Sequence, residues 1–359
     1  MPGTPPKTAR SLVLLAGALW VSMSSARGAD ADDLGTWNRR SPQESGTWRV
    51  EIDNDGVFHS DNLFTHGASV QKHGPLTDRW QDVGGTLAFG KKLAGWFLPQ
   101  QRADLFFREG WILGQNLQTP EALEREDLVV DDAPYAASLA VQNTWIAYDD
   151  ERLYGFGWLV GVVGPAAMGK GVQRSFHALI NADEPRGWDH QLRDELLLNL
   201  YYQRKHKLWQ RRGGDIAASL GAQAGNYVTG VDLTLETRFG WHLPRGFLYL
   251  PDPVGWGLSY DSHLTPREAT PSSLYGSVAA RASAVTHMVF LDGNTLHDSP
   301  SVPREPLVGS LILGLHYERE RWGVHFQVWL TTDTVDRALV TDRSNAAANF
   351  GSLTVEFRP

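Results

Sequence analysis

The side chains of this 359-residue chain that could do chemistry together lie in a few short stretches. Asp53-Asn54-Asp55-Gly56 sets carboxylate and amide oxygens at a spacing that hints at calcium, although the distal glutamate of an EF-hand loop does not follow. Asp61 and Thr65 come shortly after. Arg125 stands in a polar run, and Gln173-Arg174-Ser175-Phe176-His177 offers one imidazole, the side chain most often used as a general base. Each has a plain reading beside the chemical one. An Asn-Asp pair is ordinary turn chemistry, and an isolated loop histidine is more often simply solvated. His287 and His297 stay open on the same footing.

Other chemistries fall away. The chain has no cysteine, which excludes a disulfide scaffold, a thiolate metal site and a cysteine nucleophile. Its 33 Lys+Arg against 41 Asp+Glu give a formal charge of −8, so nucleic acid is not an expected partner. Gly164, Gly169 and Lys170 nearly spell a phosphate-binding loop, but Gly171 stands where a Ser or Thr would meet magnesium. No Gly-x-Ser-x-Gly elbow and no His-Glu-x-x-His zinc helix occurs. Ser69-Val70-Gln71-Lys72 has a Ser-x-x-Lys spacing, yet it falls inside a strand-like run.

The elements that must hold these residues are strands. Lys7 and Arg10 precede an apolar run from Leu12 to Val21 and then small residues, the layout of a secretory signal over 1–29. That run is shorter than the roughly twenty residues of a transmembrane helix. A short periplasmic segment, 30–46, follows. From there to the end, apolar and polar residues alternate with a period of two. Tyr154, Phe156, Trp158, Val160 and Val162 share one face; Gly155, Gly157 and Gly161 share the other. Trp322, Val324, Phe326, Val328 and Leu330 oppose Gly323, His325, Gln327 and Thr331. One face carries charges and small residues, and the other is apolar with aromatics at its ends. Runs of this length suit tilted membrane strands, and only a closed barrel satisfies every backbone group in lipid.

The pattern predicts an all-β protein, a transmembrane antiparallel β-barrel over 47–359 in the bacterial outer membrane. Strands are expected near 47–55, 63–73, 104–118, 135–148, 152–163, 195–206, 215–227, 230–242, 274–288, 308–319, 322–332 and 349–357. Twelve is even, as closed single-chain bacterial barrels require, so both termini should face the periplasm. Parity then gathers the connections 56–62, 119–134 and 164–194 at the outer end, the last with a short helix around His177. The connections 74–103 and 243–273 are long for inner turns. By alternation Asp55 continues the lumen-facing set Arg49, Glu51 and Asp53, while Asn54 follows Trp48, Val50 and Ile52 towards lipid. An amide on that side is costly without a partner, and well placed for a substrate lying in the membrane.

These stretches resemble the outer-membrane lipid A 3′-O-deacylases. The resemblance is carried by Asn54-Asp55-Gly56-Val57-Phe58 with Asp61-Asn62-Leu63-Phe64-Thr65-His66-Gly67, by Gly114-Gln115 with Thr119-Pro120, and by Asp132-Ala133-Pro134-Tyr135-Ala136. It continues through Gly161-Val162-Val163-Gly164-Pro165 to Gln173 and His177, then Gly187-Trp188-Asp189-His190-Gln191-Leu192 with Glu195, and Phe290-Leu291-Asp292-Gly293-Asn294-Thr295. Single pieces are weak; the ordered set is specific and spans nearly the whole chain. The resemblance implies a twelve-stranded barrel that uses calcium to hydrolyse the ester holding the 3′-acyloxyacyl chain of lipid A in lipopolysaccharide. It implies His177 as the base that activates water, Asn54 and Asp55 as calcium-site residues, Thr65 as an active-site hydroxyl and Arg125 as the match to the family's loop lysine. Ala133 and Ala137 depart from the family's Arg and Gly.

Two rivals remain from the residues themselves. An outer-membrane phospholipase would use the same barrel, but no serine has a persuasive histidine partner in a known motif. A non-enzymatic barrel, a pore or structural protein, would show a broad charged lumen; Glu236, Arg238, Tyr275 and Glu318 could fill a twelve-stranded one. No protein partner is implied, and the chain reads as a monomer.

Overall fold

The computed structural model describes residues 46–58, 63–85, 87–180, 184–251, 257–264, 272–336 and 346–359. The signal segment 1–29, nearly all of 30–46, and Asp61 lie outside the described residues. Twelve antiparallel strands close into a barrel in sequence order, with the last paired to the first. They are β1 Thr47–Asn54, β2 Leu63–His73, β3 Phe106–Thr119, β4 Ala136–Tyr148, β5 Arg152–Val163, β6 Glu195–Arg211, β7 Gly214–Gly225, β8 Val228–Trp241, β9 Ser273–Met288, β10 Leu307–Glu318, β11 Trp322–Thr331 and β12 Phe350–Phe357. Each falls within a few residues of its expected position. The one difference at the site is that β1 stops at Asn54, and Asp55 opens a 3-10 turn, Asp55–Phe58.

Alternation fixes the faces. Along β1 the side chains alternate between buried and exposed, with Arg49, Glu51 and Asp53 inside and Trp48, Val50 and Ile52 outside. The apolar exterior of a closed barrel faces lipid, because no strand edge is left unpaired. Inside, charges pair rather than line an open channel. Arg49 donates to Glu356 at 2.6 Å, Lys205 to Glu236 at 2.6 Å, and Tyr275 to Glu318 at 2.7 Å.

The two long inner connections take opposite routes. Residues 245–251 and 257–264 turn up into the lumen, where Phe247, Leu248, Leu258 and Leu264 are buried. Arg49 donates to the Tyr260 carbonyl, Gln327 to the Tyr249 carbonyl and Gln142 to the Gly257 carbonyl. The connection between β2 and β3 instead carries a helix, α1 (Ala88–Phe97), which packs on β5. The outer connection after β5 carries the expected short helix, α2 (Gly169–Ile180), and a four-residue turn, α3 (Val289–Asp292), follows β9.

Candidate active site

The Asn54 amide has the partners its position demands. Its Nδ2 donates to the Thr65 carbonyl at 2.8 Å, and its Oδ1 accepts the Gly56 N–H at 2.8 Å. Both ends of the amide are therefore occupied on the lipid side of the wall, and the two bonds lock the end of β1 to the start of β2. Thr65 sits at a break in the β2–β3 register, between Phe64 and His66. Such a bulge re-aims a side chain. Here the Thr65 hydroxyl meets the Thr119 hydroxyl at 2.7 Å, and both residues are buried. Asp55 is buried as well, in a turn packed against β2 and β12.

His177 arrives from the other side, on α2. Gln173 and His177 are one turn apart and form the buried face of that helix. The Trp188 indole donates to Gln173 Oε1 at 2.8 Å, and Gln115 Nε2 donates to the Ala167 carbonyl at 2.6 Å, which ties the helix start to β3. Gly169 lets α2 approach the wall: a Cβ there would lie 2.4 Å from the Ala137 Cβ and 2.6 Å from the Trp188 ring. Close to His177, Phe176 stacks on His66 of β2 with ring centroids 5.9 Å apart. The helix thus lies over the same stretch of wall that carries Asn54 and Thr65. Its remaining apolar residues, Met168, Val172 and Phe176, stay exposed and recur every fourth position as one stripe.

Arg125 is placed differently. It lies in the outer connection after β3, where its guanidinium is engaged by Asp127 through Nε at 3.2 Å and Nη2 at 2.5 Å. The loop folds against the turn at Gly187, since Arg186 N–H donates to the Leu123 carbonyl at 2.9 Å. The structure therefore brings Asn54 and Thr65 into direct contact, seats Asp55 beside them, docks the helix that bears His177 over β2 through Phe176, and holds Arg125 at the rim on an acidic partner.

Electrostatics around the site follow from these pairs. The Arg125 hydrogen bond holds the Asp127 carboxyl below the usual range, and Lys170, 2.7 Å away, does the same for Asp189. Burial pushes the Tyr135 phenol up to about 12, so it stays a donor to the Leu123 carbonyl. Among the described residues no group of three or more His, Asp or Glu is arranged to hold a metal. What the strand end offers is oxygen: the Asp55 carboxylate, the Asn54 carbonyl and the Thr65 hydroxyl. Oxygen donors that include one carboxylate are of the type a hard cation such as calcium takes. On the lumen side of Phe64 and Gln118 lies a cavity of about 40 Å³, enough for water and far too small for an acyl chain.

The sequence motifs contain Thr119, His66 and Gln173, but no role was read for them. Gln173 was open to one, because four residues before His177 is the same helix face. The Thr65–Thr119 contact depends on a bulge that no local pattern announces.

A family model described as outer membrane protein LpxR matches residues 13–358. No curated protein sequence matches the chain. Among solved structures, LpxR from Salmonella typhimurium is 15% identical, with a TM-score of 0.67 over 87% of this chain and 99% of that one. At that identity the likeness shows the fold. The β domain of the Bordetella autotransporter BrkA (8% identical, TM-score 0.39, 88% and 98% covered) and the KdgM porin (7%, 0.34, 87% and 98%) are more distant barrels.

Proposed function

The chain belongs to the family of outer membrane protein LpxR, and from that premise we propose that it is a lipid A deacylase working at the outer leaflet. Its reaction would be calcium-dependent hydrolysis of the ester that holds the 3′-acyloxyacyl chain. The observation that carries this reading is the docking of the His177 helix on the lipid-facing wall, over the strand whose Thr65 carbonyl holds Asn54. A substrate that already lies in the membrane reaches such a site without leaving its leaflet.

In the proposed reaction His177 takes a proton from a water molecule as that water attacks the ester carbonyl. The imidazolium then returns the proton to the departing sugar oxygen, releasing the acid. Asp55 and Asn54 would hold calcium, which supplies positive charge for the oxyanion, and the Thr65 hydroxyl belongs to the same site. The exposed Met168, Val172 and Phe176 stripe lies in the acyl region, and Arg125 exchanges Asp127 for a phosphate of lipid A, which a guanidinium engages in the same forked manner.

The test is mass spectrometry of lipid A from cells expressing the chain or its His177→Ala variant, with and without calcium chelation. The expected result is loss of one acyloxyacyl unit, with the rate reduced about 10²–10⁴-fold without the base and abolished by chelation. Unaltered lipid A despite a folded, membrane-inserted barrel would overturn the reading, and release of fatty acid from phospholipids instead would replace it with a phospholipase.

A further inference from the structure

We propose that α1 is an interfacial helix that lies within the inner, periplasmic leaflet of the outer membrane and takes glycerophospholipid as its partner. Four strand residues are buried although they stand on the outer side of the wall. Parity places Phe107, Trp145, Ala147 and Phe156 on the lipid face. Their neighbours point into the lumen: Arg108 to Asp261, Tyr148 to the His263 carbonyl, and Gly157 against Leu258. Yet Trp145 and Ala147 are 0% exposed and Phe107 and Phe156 1%. What covers them is the connection between β2 and β3. Phe97 stacks on Phe156 with centroids 4.6 Å apart and reaches Tyr202 of β6 at 6.5 Å. At the other end of the helix a Cβ on Gly90 would lie 2.7 Å from the Trp145 ring and 2.8 Å from Trp158 Nε1. The helix therefore runs tangentially across β4, β5 and β6, displacing lipid from the wall.

Its docking face is Gly90 and Ala94, small residues four apart, the spacing that lets helices approach closely where lipid removes any hydrophobic gain. The opposite face is apolar apart from Lys92. Phe89 is 79% exposed and Trp96 73% exposed, one on each side of the exposed Lys92 along the chain. A helix that is apolar towards its support and apolar outward is unsuited to water. Continuity with the lipid-facing wall identifies the occupant of the outer face as acyl chain, with Lys92 at the level of headgroup phosphate. The covered wall also hides a polar pair: Glu109 and Asn143, bonded at 3.2 Å on the lipid side, are roofed by Gly84, where a Cβ would lie 2.6 Å from Glu109 Oε2. Without this roof a carboxylate would face hydrocarbon.

The absence of cysteine makes the test clean. Single variants Phe89→Cys, Trp96→Cys, Val70→Cys and Arg212→Cys carry a nitroxide in the full chain, refolded into phosphatidylethanolamine–phosphatidylglycerol vesicles. Val70 is exposed on the wall of β2, and Arg212 is exposed in the β6–β7 turn. Labels at 89 and 96 should match the Val70 label, accessible to oxygen and shielded from a water-soluble nickel complex. Water-like accessibility at 89 and 96, with Val70 still lipid-like, overturns the proposal while leaving the barrel intact. A water-like Val70 label would instead sink the membrane placement itself. Shielding from both reagents, with spin–spin coupling between copies, would assign the face to a second chain and also overturns it.

Discussion

At the scale of single residues, Asn54 is the most informative position. It occupies a lipid-side place on β1, where an amide is costly, and it offsets that cost with two hydrogen bonds, of which an aspartate could keep only the one accepted from the Gly56 N–H. Asn54→Asp puts a carboxylate oxygen against the Thr65 carbonyl in place of a donor. Losing one such bond and leaving a polar group unsatisfied costs about 1–3 kcal/mol, which corresponds to roughly 5- to 150-fold in deacylation rate if the geometry is needed in the transition state. Quantitative mass spectrometry of lipid A would read that loss. Activity equal to the parent would remove Asn54 from the site. The places of Asn54 and Thr65 at facing strand ends were legible from parity and a quoted motif, whereas Asp55 leaves the strand for a turn and His177 stands on a helix that only the motif marked. Arg125 was read from a loosely patterned loop, and its present bond to Asp127 shows a rim position whose side chain has a competing partner.

At the scale of elements, the site depends on how closely α2 approaches the wall. Ala137 stands where the resembled family has Gly, and Gly169 faces it, so the pair still leaves room for contact. Gly169→Leu should push α2 away from Ala137 and Trp188, separating His177 from β2. The expected outcome is a loss of deacylation comparable to His177→Ala, with the barrel's heat-modifiable mobility retained. Retained activity would mean that the helix position is not what presents His177. The strands themselves were legible to within a few residues, β6 running five further than expected, because period two survives any tertiary context that keeps one face in lipid. The inner connections were not. Their sequences, 74–103 and 243–273, carry no strong period, and whether a loop folds outward over the wall or inward into the lumen is decided by side chains on strands far away in sequence. Arg108 and Asp261, which hold the inward segment, are one such pair.

At the scale of the whole molecule, the described residues fill the inner part of the lumen. A twelve-stranded barrel is narrow, and residues 245–251 and 257–264 occupy its inner part. Asp261 is the centre of that plug. It accepts from the Thr47 hydroxyl at 2.6 Å and the His263 N–H at 3.0 Å, pairs with Arg108, and lies 3.5 Å from Arg49. Both guanidiniums project from the barrel wall, so one carboxylate on the inserted segment fastens it to β1 and β3. Asp261→Ala removes the shared partner of two buried cations, a loss of about 3–5 kcal/mol for a broken buried pair. Two measurements separate the consequences. The parent protein in a planar bilayer should show no steady channel, whereas the variant should flicker between closed and conducting states as the segment leaves the lumen. The temperature at which the compact form converts to the unfolded form on a semi-native gel should also fall. A steady conductance in the parent would mean that the plug does not seal the barrel, and would return the pore reading to contention whatever the wall site does.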